Sequence, residues 1–443
     1  MLARLFRSAV PRSGRPAPRP ALGEKLLAQP PATGESTAPS DIRWLVLLVA
    51  TFRLGTLLLL RPGGFVYDFS DYGWYRQVAQ LTNEGFYPFV HFWMEYPPLF
   101  PWLNVLLYRL SLLLPPAFDP RLWHHLLLGL TLLPFDLGIL VLLHRIASAV
   151  GGRALGAWCA AAWSLLFVPL YTWAGWFDSM AVFFLLLAVW LILEDRPLAT
   201  GVALGVGFMV KLSPVLPLVV AVQRFRKVGS PAWGWLNRAN AMMVVSLASV
   251  VAILSAPWLL TRPDLFLVTF KNLVGRSSWE TVWALLDGYY GYGVVSGERF
   301  TTTPTFAVHP QRIPPVFVLL VGAAVGFAIW IRRWEWERPQ VQVAFHALTL
   351  GIFLLVSPGW SPQFLLWVLP WVLLLPTLHR PWGPEGLKVP VAIWLALAFT
   401  LLNVLELLYF HLWTAYPAVL AAIVLARTGL LALLTWSAYR SLG

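Results

Sequence analysis

The sequence contains a single cysteine, and only 12% of its 443 residues are charged, whereas 58% are hydrophobic. Because Cys159 is the only cysteine, the chain can form no intrachain disulfide. It lies inside an apolar run, and cysteine usage therefore indicates no redox compartment. So few charges leave too little polar surface for a sizeable soluble domain. Apolar runs of about 17 to 25 residues, long enough to cross about 30 Å of hydrocarbon, recur along the chain. The composition therefore predicts an all-α integral membrane protein.

The N-terminus lacks the pattern of a cleavable signal peptide, in which an apolar core follows a short charged start. Residues 1–41 are rich in Arg and Pro, which predicts a disordered cytoplasmic tail before a polytopic membrane domain at 42–443. The net charge of +12 could suggest a nucleic-acid partner. The basic residues, however, form short clusters between apolar runs, as the positive-inside rule expects of cytoplasmic turns. This pattern argues against nucleic acid and favours cytoplasmic N- and C-termini.

The apolar runs predict about 12 transmembrane helices, within a range of about 11 to 13. The predicted crossings lie near 42–60, 122–145, 154–174, 179–193, 198–210, 213–223, 240–260, 314–331, 341–357, 362–378, 388–410 and 415–435. The segments on either side of Lys211-Leu-Ser-Pro214 must be separate, because proline removes a backbone donor and permits a broken helix. The segment 98–114 is predicted to be re-entrant. If it crosses fully instead, the basic turn at 144–153 faces outward, against the charge rule.

Under this topology the irregular polar stretches of the chain meet on the external face. They are the first external loop 61–97, predicted to form short amphipathic helices, the turn around Asp178, the break at Lys211, the turn at 357–363 and the second external loop 262–313. Ionisable groups that border hydrocarbon are costly, and they commonly mark functional sites. Carboxylates and cations gathered at one membrane face therefore indicate an enzyme that acts on a substrate presented there.

Three sequence blocks resemble the C-type polytopic glycosyltransferases of the GT-C superfamily. In chain order they are Asp68-Phe-Ser-Asp71-Tyr72 with Gly85-Phe-Tyr-Pro88 and Glu95-Tyr-Pro-Pro-Leu-Phe100, then Gly175-Trp-Phe-Asp178-Ser179 with Lys211-Leu-Ser-Pro214, then Ser361-Pro-Gln363-Phe-Leu-Leu-Trp367. The nearest resemblance is to bacterial polyprenyl-phosphate-mannose-dependent mannosyltransferases and to the eukaryotic GPI mannosyltransferase I. One spacing departs from the family, whose usual first motif is Asp-x-Asp-Tyr rather than Asp-x-x-Asp-Tyr.

The resemblance implies that a sugar, mannose in the nearest families, is transferred with inversion from a polyprenyl-phosphate-linked donor to a hydroxyl of a lipid or glycan acceptor. It also implies a bacterial plasma-membrane location with the active site on the external face. Displacement at the anomeric carbon needs a carboxylate to accept the proton of the acceptor hydroxyl. It also needs cations on the departing phosphate, where negative charge develops. Because phosphate leaves without protonation, one carboxylate suffices, unlike in hydrolases that use two.

The first external loop offers two candidates for the catalytic base, Asp71 and Asp68. Asp71 keeps the family's link to the following Tyr72 and is favoured for that reason. Either aspartate could instead cap the helix predicted at 71–81, since Asp before a helix satisfies free backbone donors. A divalent metal held by the two carboxylates is compatible with the sequence, but no metal or other cofactor is predicted.

The candidate substrate-binding residues lie in all of these external stretches. They are Glu95, Tyr96, Asp178, Lys211, Arg276, Arg299 and Gln363. Lys211 suits the donor phosphate, although snorkelling to the interface would also explain its place. Asp178 would orient sugar or acceptor hydroxyls, or cap the helix at 179–193. Gln363 suits sugar or phosphate, or caps a turn, and Glu95 is expected to hold its loop to the membrane surface.

Two other classes of function stay open on the sequence. A multi-span transporter or flippase would also have many spans, but it should carry broken helices in corresponding halves of the chain. A non-catalytic assembly subunit would tolerate neutralisation of the acidic loop. The remaining ionisable groups inside apolar runs, among them Arg53, Asp136 and Glu406, are predicted to make contacts within the helix bundle.

Overall fold

The computed structural model describes residues 42–60, 69–226, 234–291, 309–378 and 388–443, except for the side chains of 272–275 and 388. Its first helices are α1 (Ile42–Leu59), α2 (Tyr72–Gln80), α3 (Leu99–Ser111), α4 (Leu122–Gly151), α5 (Arg153–Leu165), α6 (Phe167–Trp173), α7 (Asp178–Leu193), α8 (Pro197–Val210) and α9 (Leu218–Arg224). They are followed by α10 (Arg238–Thr261), α11 (Pro263–Gly275), α12 (Val282–Asp287), α13 (Pro315–Trp330), α14 (Pro339–Val356), α15 (Leu365–Leu374), α16 (Lys388–Leu408) and α17 (Pro417–Arg440). Helices thus account for almost all regular structure in these ranges.

Within the described ranges, six helices are long and apolar enough to cross a membrane, and the bent pair α5–α6 makes a seventh when counted as one span. The six are α1, α4, α10, α14, α16 and α17. Four shorter apolar segments accompany them, namely α7, α8, α13 and Pro362–Thr377. The predicted class, an all-α integral membrane protein, is confirmed. The predicted count of about twelve spans is not confirmed, because several apolar segments are too short to be counted by length alone.

The break predicted around Lys211 is confirmed. Helix α8 ends at Val210, Lys211 is extended with φ −158° and ψ 152°, and a 3₁₀ turn at Ser213–Val215 precedes α9. Pro214 turns the chain back against α8, where a Cβ on Gly207 would lie only 2.6 Å from Pro214 Cβ. The absence of a side chain at Gly207 therefore allows the turn, and the turn leaves Lys211 at the end of a helix.

A second break was not predicted. The expected crossing at 154–174 is interrupted at Leu166, which is extended with ψ 139°, and α5 and α6 are bent by 59°. Pro169 supplies the reason, since a proline inside a continuous helix lacks the N–H for the bond to Leu165 and its ring clashes with that carbonyl. The chain restarts as the short α6, which ends beside the turn that carries Asp178.

Helix α3 has 13 residues, so it is about 20 Å long and shorter than the hydrocarbon thickness of about 30 Å. Its length agrees with the prediction that 98–114 does not cross the bilayer as one helix. Asn104 of α3 donates a hydrogen bond to the Tyr75 carbonyl at 2.7 Å and accepts one from His124, at the start of α4, at 2.9 Å when that ring nitrogen is protonated. The segment therefore connects the first loop to the bundle.

Buried ion pairs join the helices of the bundle. Arg53 Nε of α1 lies 2.9 Å from Asp136 Oδ2 of α4, and both side chains are buried. Arg427 of α17 pairs with Glu406 of α16 in the same way. The predicted role of Arg53, Asp136 and Glu406 as bundle contacts is confirmed. Each charge compensates another that would otherwise be costly in a water-free interior.

Candidate functional site

The acidic loop meets the Asp178 turn through backbone contacts. The N–H of Asp71 donates to the Gly175 carbonyl at 3.0 Å, and the Tyr72 hydroxyl donates to the Trp173 carbonyl at 3.0 Å. A Cβ on Gly175 would come within 3.1 Å of the Ser70 side chain, so glycine suits this close approach. These contacts bring the first and second sequence blocks together, as the sequence predicted.

Asp71 occupies the N-cap position of α2, but its side chain makes no capping hydrogen bond. Its Oδ2 instead lies 3.5 Å from the hydroxyl of Tyr75, one turn further along the helix. The carboxylate therefore does not have the capping role that was the alternative for Asp71. The other candidate base, Asp68, lies outside the described residues.

Asp178 and Lys211 form a buried ion pair. Lys211 Nζ donates to Asp178 Oδ1 at 2.7 Å, and the Trp367 indole N–H donates to the same oxygen at 2.7 Å. The Asp178 side chain is 1% exposed and that of Lys211 is 12% exposed. Asp178 Oδ2 has no hydrogen-bond partner among the described residues. One aspartate thus links α7, the break after α8 and the third sequence block.

The two alternatives for these residues differ from the arrangement observed. Asp178 is the first residue of α7, and the N-cap position before it belongs to Phe177, with no side-chain capping bond. The Lys211 ammonium turns toward Asp178 and is largely enclosed, so it does not snorkel outward. Both residues contribute to one polar centre inside the protein.

Four aromatic rings surround the Lys211 ammonium. The ring centroids of Trp367, Phe364, Phe177 and Tyr96 lie 4.9, 5.1, 5.2 and 5.7 Å from Nζ, respectively. Such rings attract a cation through their electron-rich faces, more strongly where water is excluded. The predicted substrate-binding residue Tyr96 therefore lies beside Lys211. The sequence did not predict this ring of aromatic side chains, although Phe364 and Trp367 are one helical turn apart in the third block.

The second external loop reaches the same region through Arg276. Arg276 Nη1 lies 3.9 Å from Glu95 Oε1, and both side chains are 18% exposed. The Arg276 guanidinium also stacks on the Trp279 ring, 4.1 Å from its centroid. The other predicted cation of this loop, Arg299, lies outside the described residues. Glu95 thus contacts a cation of the second loop, an arrangement that the sequence did not predict.

Residues 279–281 pair with the turn that precedes Gln363. The Trp279 N–H donates to the Pro358 carbonyl at 3.0 Å, and the Trp360 N–H donates to the Trp279 carbonyl at 3.1 Å. The Thr281 hydroxyl donates to the same Pro358 carbonyl at 3.1 Å. Gln363 lies in the next turn, Pro362–Phe364, is 8% exposed, and its Oε1 has no hydrogen-bond partner in the described part of the chain. The third block and the second loop are therefore one unit.

A buried charged cluster lies behind this unit, and the sequence did not predict its extent. Arg427 donates to the Glu406 carboxylate and to the Glu280 carbonyl. Its guanidinium lies 4.3 Å from the centre of the Trp360 ring. Glu280 has a positive φ of 51°, an uncommon conformation for a residue other than glycine. The pairing of Arg427 with Glu406 could have been predicted, because two ionisable groups inside apolar helices commonly pair with each other.

Gly359 is where this unit is packed most closely. A Cβ on Gly359 would lie 2.0 Å from the Trp279 ring, whose other contacts include Arg276. We expect Gly359→Ala to displace Trp279 and Arg276, to lower the free energy of unfolding by about 1–3 kcal/mol, and to lower the activity of the site.

The matched control for this change is Gly326→Ala in α13, where an added Cβ meets nothing within 4 Å. That substitution should be neutral or slightly stabilising, because alanine favours a helix over glycine. Thermal unfolding of the purified variants in detergent measures both effects. Equal melting temperatures for the two variants would contradict the packing argument.

Tyr75 contacts both the acidic loop and the residue before Asp178, since its hydroxyl lies 3.5 Å from Asp71 Oδ2 and its ring centroid 5.9 Å from that of Phe177. The pKa of Tyr75 is raised well above its usual value, first by burial and then by the charges of Asp71, Tyr96 and Asp178. Through Asp71 and the Phe177 ring, Tyr75 thus connects the acidic loop to the turn that carries Asp178. In the described ranges no three His, Cys, Asp or Glu side chains form a group that could hold a metal ion.

No family model and no curated protein matches the chain. Solved structures similar to it include ArnT from Cupriavidus metallidurans bound to undecaprenyl phosphate, with 16% identity, coverage of 91% of this chain and 77% of that chain, and a TM-score of 0.47. Another is the apo oligosaccharyltransferase from Archaeoglobus fulgidus, with 13% identity, coverage of 92% and 57%, and a TM-score of 0.42.

With TM-scores below 0.5, the likeness is loose. It bears on neither activity nor substrate, so the chemistry has to be argued from the residues of this chain.

Proposed function

We propose that this protein is an integral membrane glycosyltransferase. It transfers a sugar, mannose by the closest resemblance of its motifs, from a polyprenyl-phosphate-linked donor to a hydroxyl of a lipid or glycan acceptor, with inversion. The observation that carries the proposal is the contact of the Asp71 loop with the turn of the Asp178–Lys211 pair, where the Asp71 N–H donates to the Gly175 carbonyl. One carboxylate and one cation at a single site satisfy the two requirements of displacement from a phosphate leaving group.

The proposed reaction assigns Asp71 the role of base. Its carboxylate accepts the proton of the acceptor hydroxyl while that oxygen forms a bond to the anomeric carbon. The bond between the anomeric carbon and the phosphate oxygen breaks, and the electron pair leaves with the lipid phosphate. Attack from the face opposite the phosphate inverts the configuration. Asp68, which neighbours Asp71 in the sequence, is the other candidate for this proton.

Lys211 is proposed to contact the departing phosphate. An ammonium group has three donors, and in the described part of the chain only one of them is used, in the bond to Asp178. Two donors are thus available for phosphate oxygens, where negative charge develops during transfer. Arg276, the partly exposed cation of the second loop, is a further candidate for the same phosphate.

The remaining candidates suit the hydroxyls of a sugar. Asp178 Oδ2 and Gln363 Oε1 are buried acceptors without partners among the described residues, and unsatisfied buried acceptors are costly unless a ligand or water supplies a donor. The aromatic rings around Lys211, Tyr96 among them, could cover the apolar face of a sugar ring. Glu95, which lies near Arg276, would border the sugar site where the second external loop approaches it.

A transporter or flippase is the alternative function. The helix break at Leu166 is relevant to it, because many transporters contain broken helices. Inverted-repeat transporters carry discontinuous helices at corresponding positions of their two halves. Both breaks described above, at Leu166 and at Lys211, fall in the first half of the chain. Their positions therefore favour the enzyme.

A transfer assay separates the two functions. The purified protein in proteoliposomes is given radiolabelled polyprenyl-phosphate mannose and a membrane-lipid extract as acceptor, and uptake of the same label into the vesicle lumen is followed in parallel. We expect label in a new lipid or glycan product whose sugar has the inverted anomeric configuration. Movement of unreacted donor across the bilayer, without product, would favour the flippase instead.

A further inference from the structure

Tyr75 is held in place from both its backbone and its ring. It is 3% exposed, and its carbonyl accepts a hydrogen bond from Asn104 at 2.7 Å. Its ring makes edge contacts with Phe100 and Phe177, with centroids 4.8 and 5.9 Å away. A side chain fixed in this way presents its hydroxyl in one direction with little loss of entropy on substrate binding.

The Tyr75 hydroxyl points into the acidic part of the site. It faces Asp71 Oδ2 across 3.5 Å, which is longer than the roughly 2.5–3.0 Å of an ordinary O–H···O hydrogen bond. Substrate binding can shorten such a contact to a full hydrogen bond. Because the pKa of Tyr75 is raised by burial and by Asp71, Tyr96 and Asp178, the phenol keeps its proton and acts only as a neutral hydrogen-bond partner near neutral pH.

We propose that Tyr75 is a positioning residue for Asp71. This inference rests on the proposed function, in which Asp71 takes the proton of the acceptor hydroxyl. By donating to Oδ2, Tyr75 favours the ionised form of the carboxylate and fixes its orientation. Its ring also contacts Phe177, which in turn lies beside the Lys211 ammonium.

The same helix contains a matched control for this role. Tyr72 is also buried, and its hydroxyl donates to the Trp173 backbone carbonyl rather than to a carboxylate. Burial raises the pKa of Tyr72 well above its usual value, and no neighbouring charge contributes to that shift. Loss of the Tyr72 hydroxyl removes a hydrogen bond to a backbone carbonyl, whereas loss of the Tyr75 hydroxyl removes a polar contact with the Asp71 carboxylate.

The test compares Tyr75→Phe with Tyr72→Phe in the full-length protein, by measuring the pH dependence of sugar transfer. We expect Tyr75→Phe to lower kcat by about tenfold with little change in KM, since a hydrogen bond to a charged group is lost. The carboxylate then needs a higher pH to ionise, so the acidic limb of the profile moves up by ~1 pH unit. Tyr72→Phe should leave the position of that limb unchanged.

The other titratable groups at the site are the same in both variants, so they cannot produce the difference. These groups are Tyr96, Glu95, Asp178, Lys211 and Arg276, together with His125, whose ring lies 5.5 Å from that of Tyr72. An acidic limb that stays in place in Tyr75→Phe, or that moves equally in Tyr72→Phe, would overturn the positioning role.

A second substitution covers the case in which Tyr75→Phe does not fold. Site-specific replacement of Tyr75 by 3,5-difluorotyrosine keeps the shape of the ring and makes the phenol a stronger donor, so the acidic limb should move to lower pH. No movement would overturn the inference. The proposed function is tested separately by Asp71→Asn. If that variant keeps full activity, Asp71 is not the base. If it is inactive but the acidic limb of the Tyr75 variant does not move, only the role of Tyr75 is excluded.

Discussion

Replacing Asp71 with asparagine is expected to lower the rate of sugar transfer by about 10²–10⁴-fold, the usual contribution of a general base. Asparagine keeps the shape of the side chain and its place at the start of α2, but it cannot accept the proton of the acceptor hydroxyl. The carboxylate makes no capping bond, so the helix should form as before. Initial rates with radiolabelled lipid-phosphate sugar in membranes measure the effect.

Two further aspartates give this experiment its controls. Asp119→Asn removes an exposed carboxylate that pairs with Arg121 on the surface, and surface pairs contribute little, so transfer should be unchanged. Asp68→Asn should retain more activity than Asp71→Asn. If Asp68→Asn instead loses activity and Asp71→Asn does not, the base is Asp68. Full activity in both variants would rule out the first loop as the source of the base.

Replacing Lys211 with methionine is expected to lower the free energy of unfolding by about 3–5 kcal/mol, the cost of leaving one charge of a buried pair without its partner. Asp178 is almost fully buried and would lose its cation, keeping only the bond from the Trp367 indole. Asp178→Asn should cost less, because Lys211 retains some exposure to water and its aromatic neighbours.

The double variant Lys211→Met with Asp178→Asn separates the structural from the functional role of the pair. It should recover part of the stability lost in Lys211→Met, since no unpaired charge remains in the interior. Its transfer activity should stay low, because the proposed cation for the departing phosphate is still missing. If the double variant lost as much stability as the two single variants together, the two residues would not be energetically coupled. Full transfer activity in the double variant would exclude Lys211 from phosphate binding.

Proline positions in the sequence predicted one of the two helix breaks. Pro214 correctly predicted the break around Lys211. The break at Leu166 was not predicted, although Pro169 disrupts helical hydrogen bonding in the same way. Within the site, the convergence of the first loop, the Asp178 turn and the turn before Gln363 was predicted from topology. The close contact between Asp71 and Tyr75 could also have been predicted, because residues four apart on a helix face each other.

The partners of the charged groups could not be predicted in the same way. Lys211 and Asp178 are separated by 33 residues, and Arg53 and Asp136 by 83. Arg276 reaches Glu95 from a different loop altogether. Many pairings of these charges are compatible with the same order of helices, and the sequence contains no local signal that selects among them.

The length of the apolar runs, the scarcity of charge and the positions of proline establish an all-helical membrane protein with a polar site between its helices. These properties act over a few residues, through burial of side chains and the hydrogen bonds of one helix. Which carboxylate meets which cation depends on distances of a few ångström between different helices, set by the packing of side chains such as Trp367 and by glycines such as Gly207. For that reason only the tertiary structure decided that Lys211 is held by Asp178 among aromatic rings, and that Tyr75 contacts both Asp71 and Phe177.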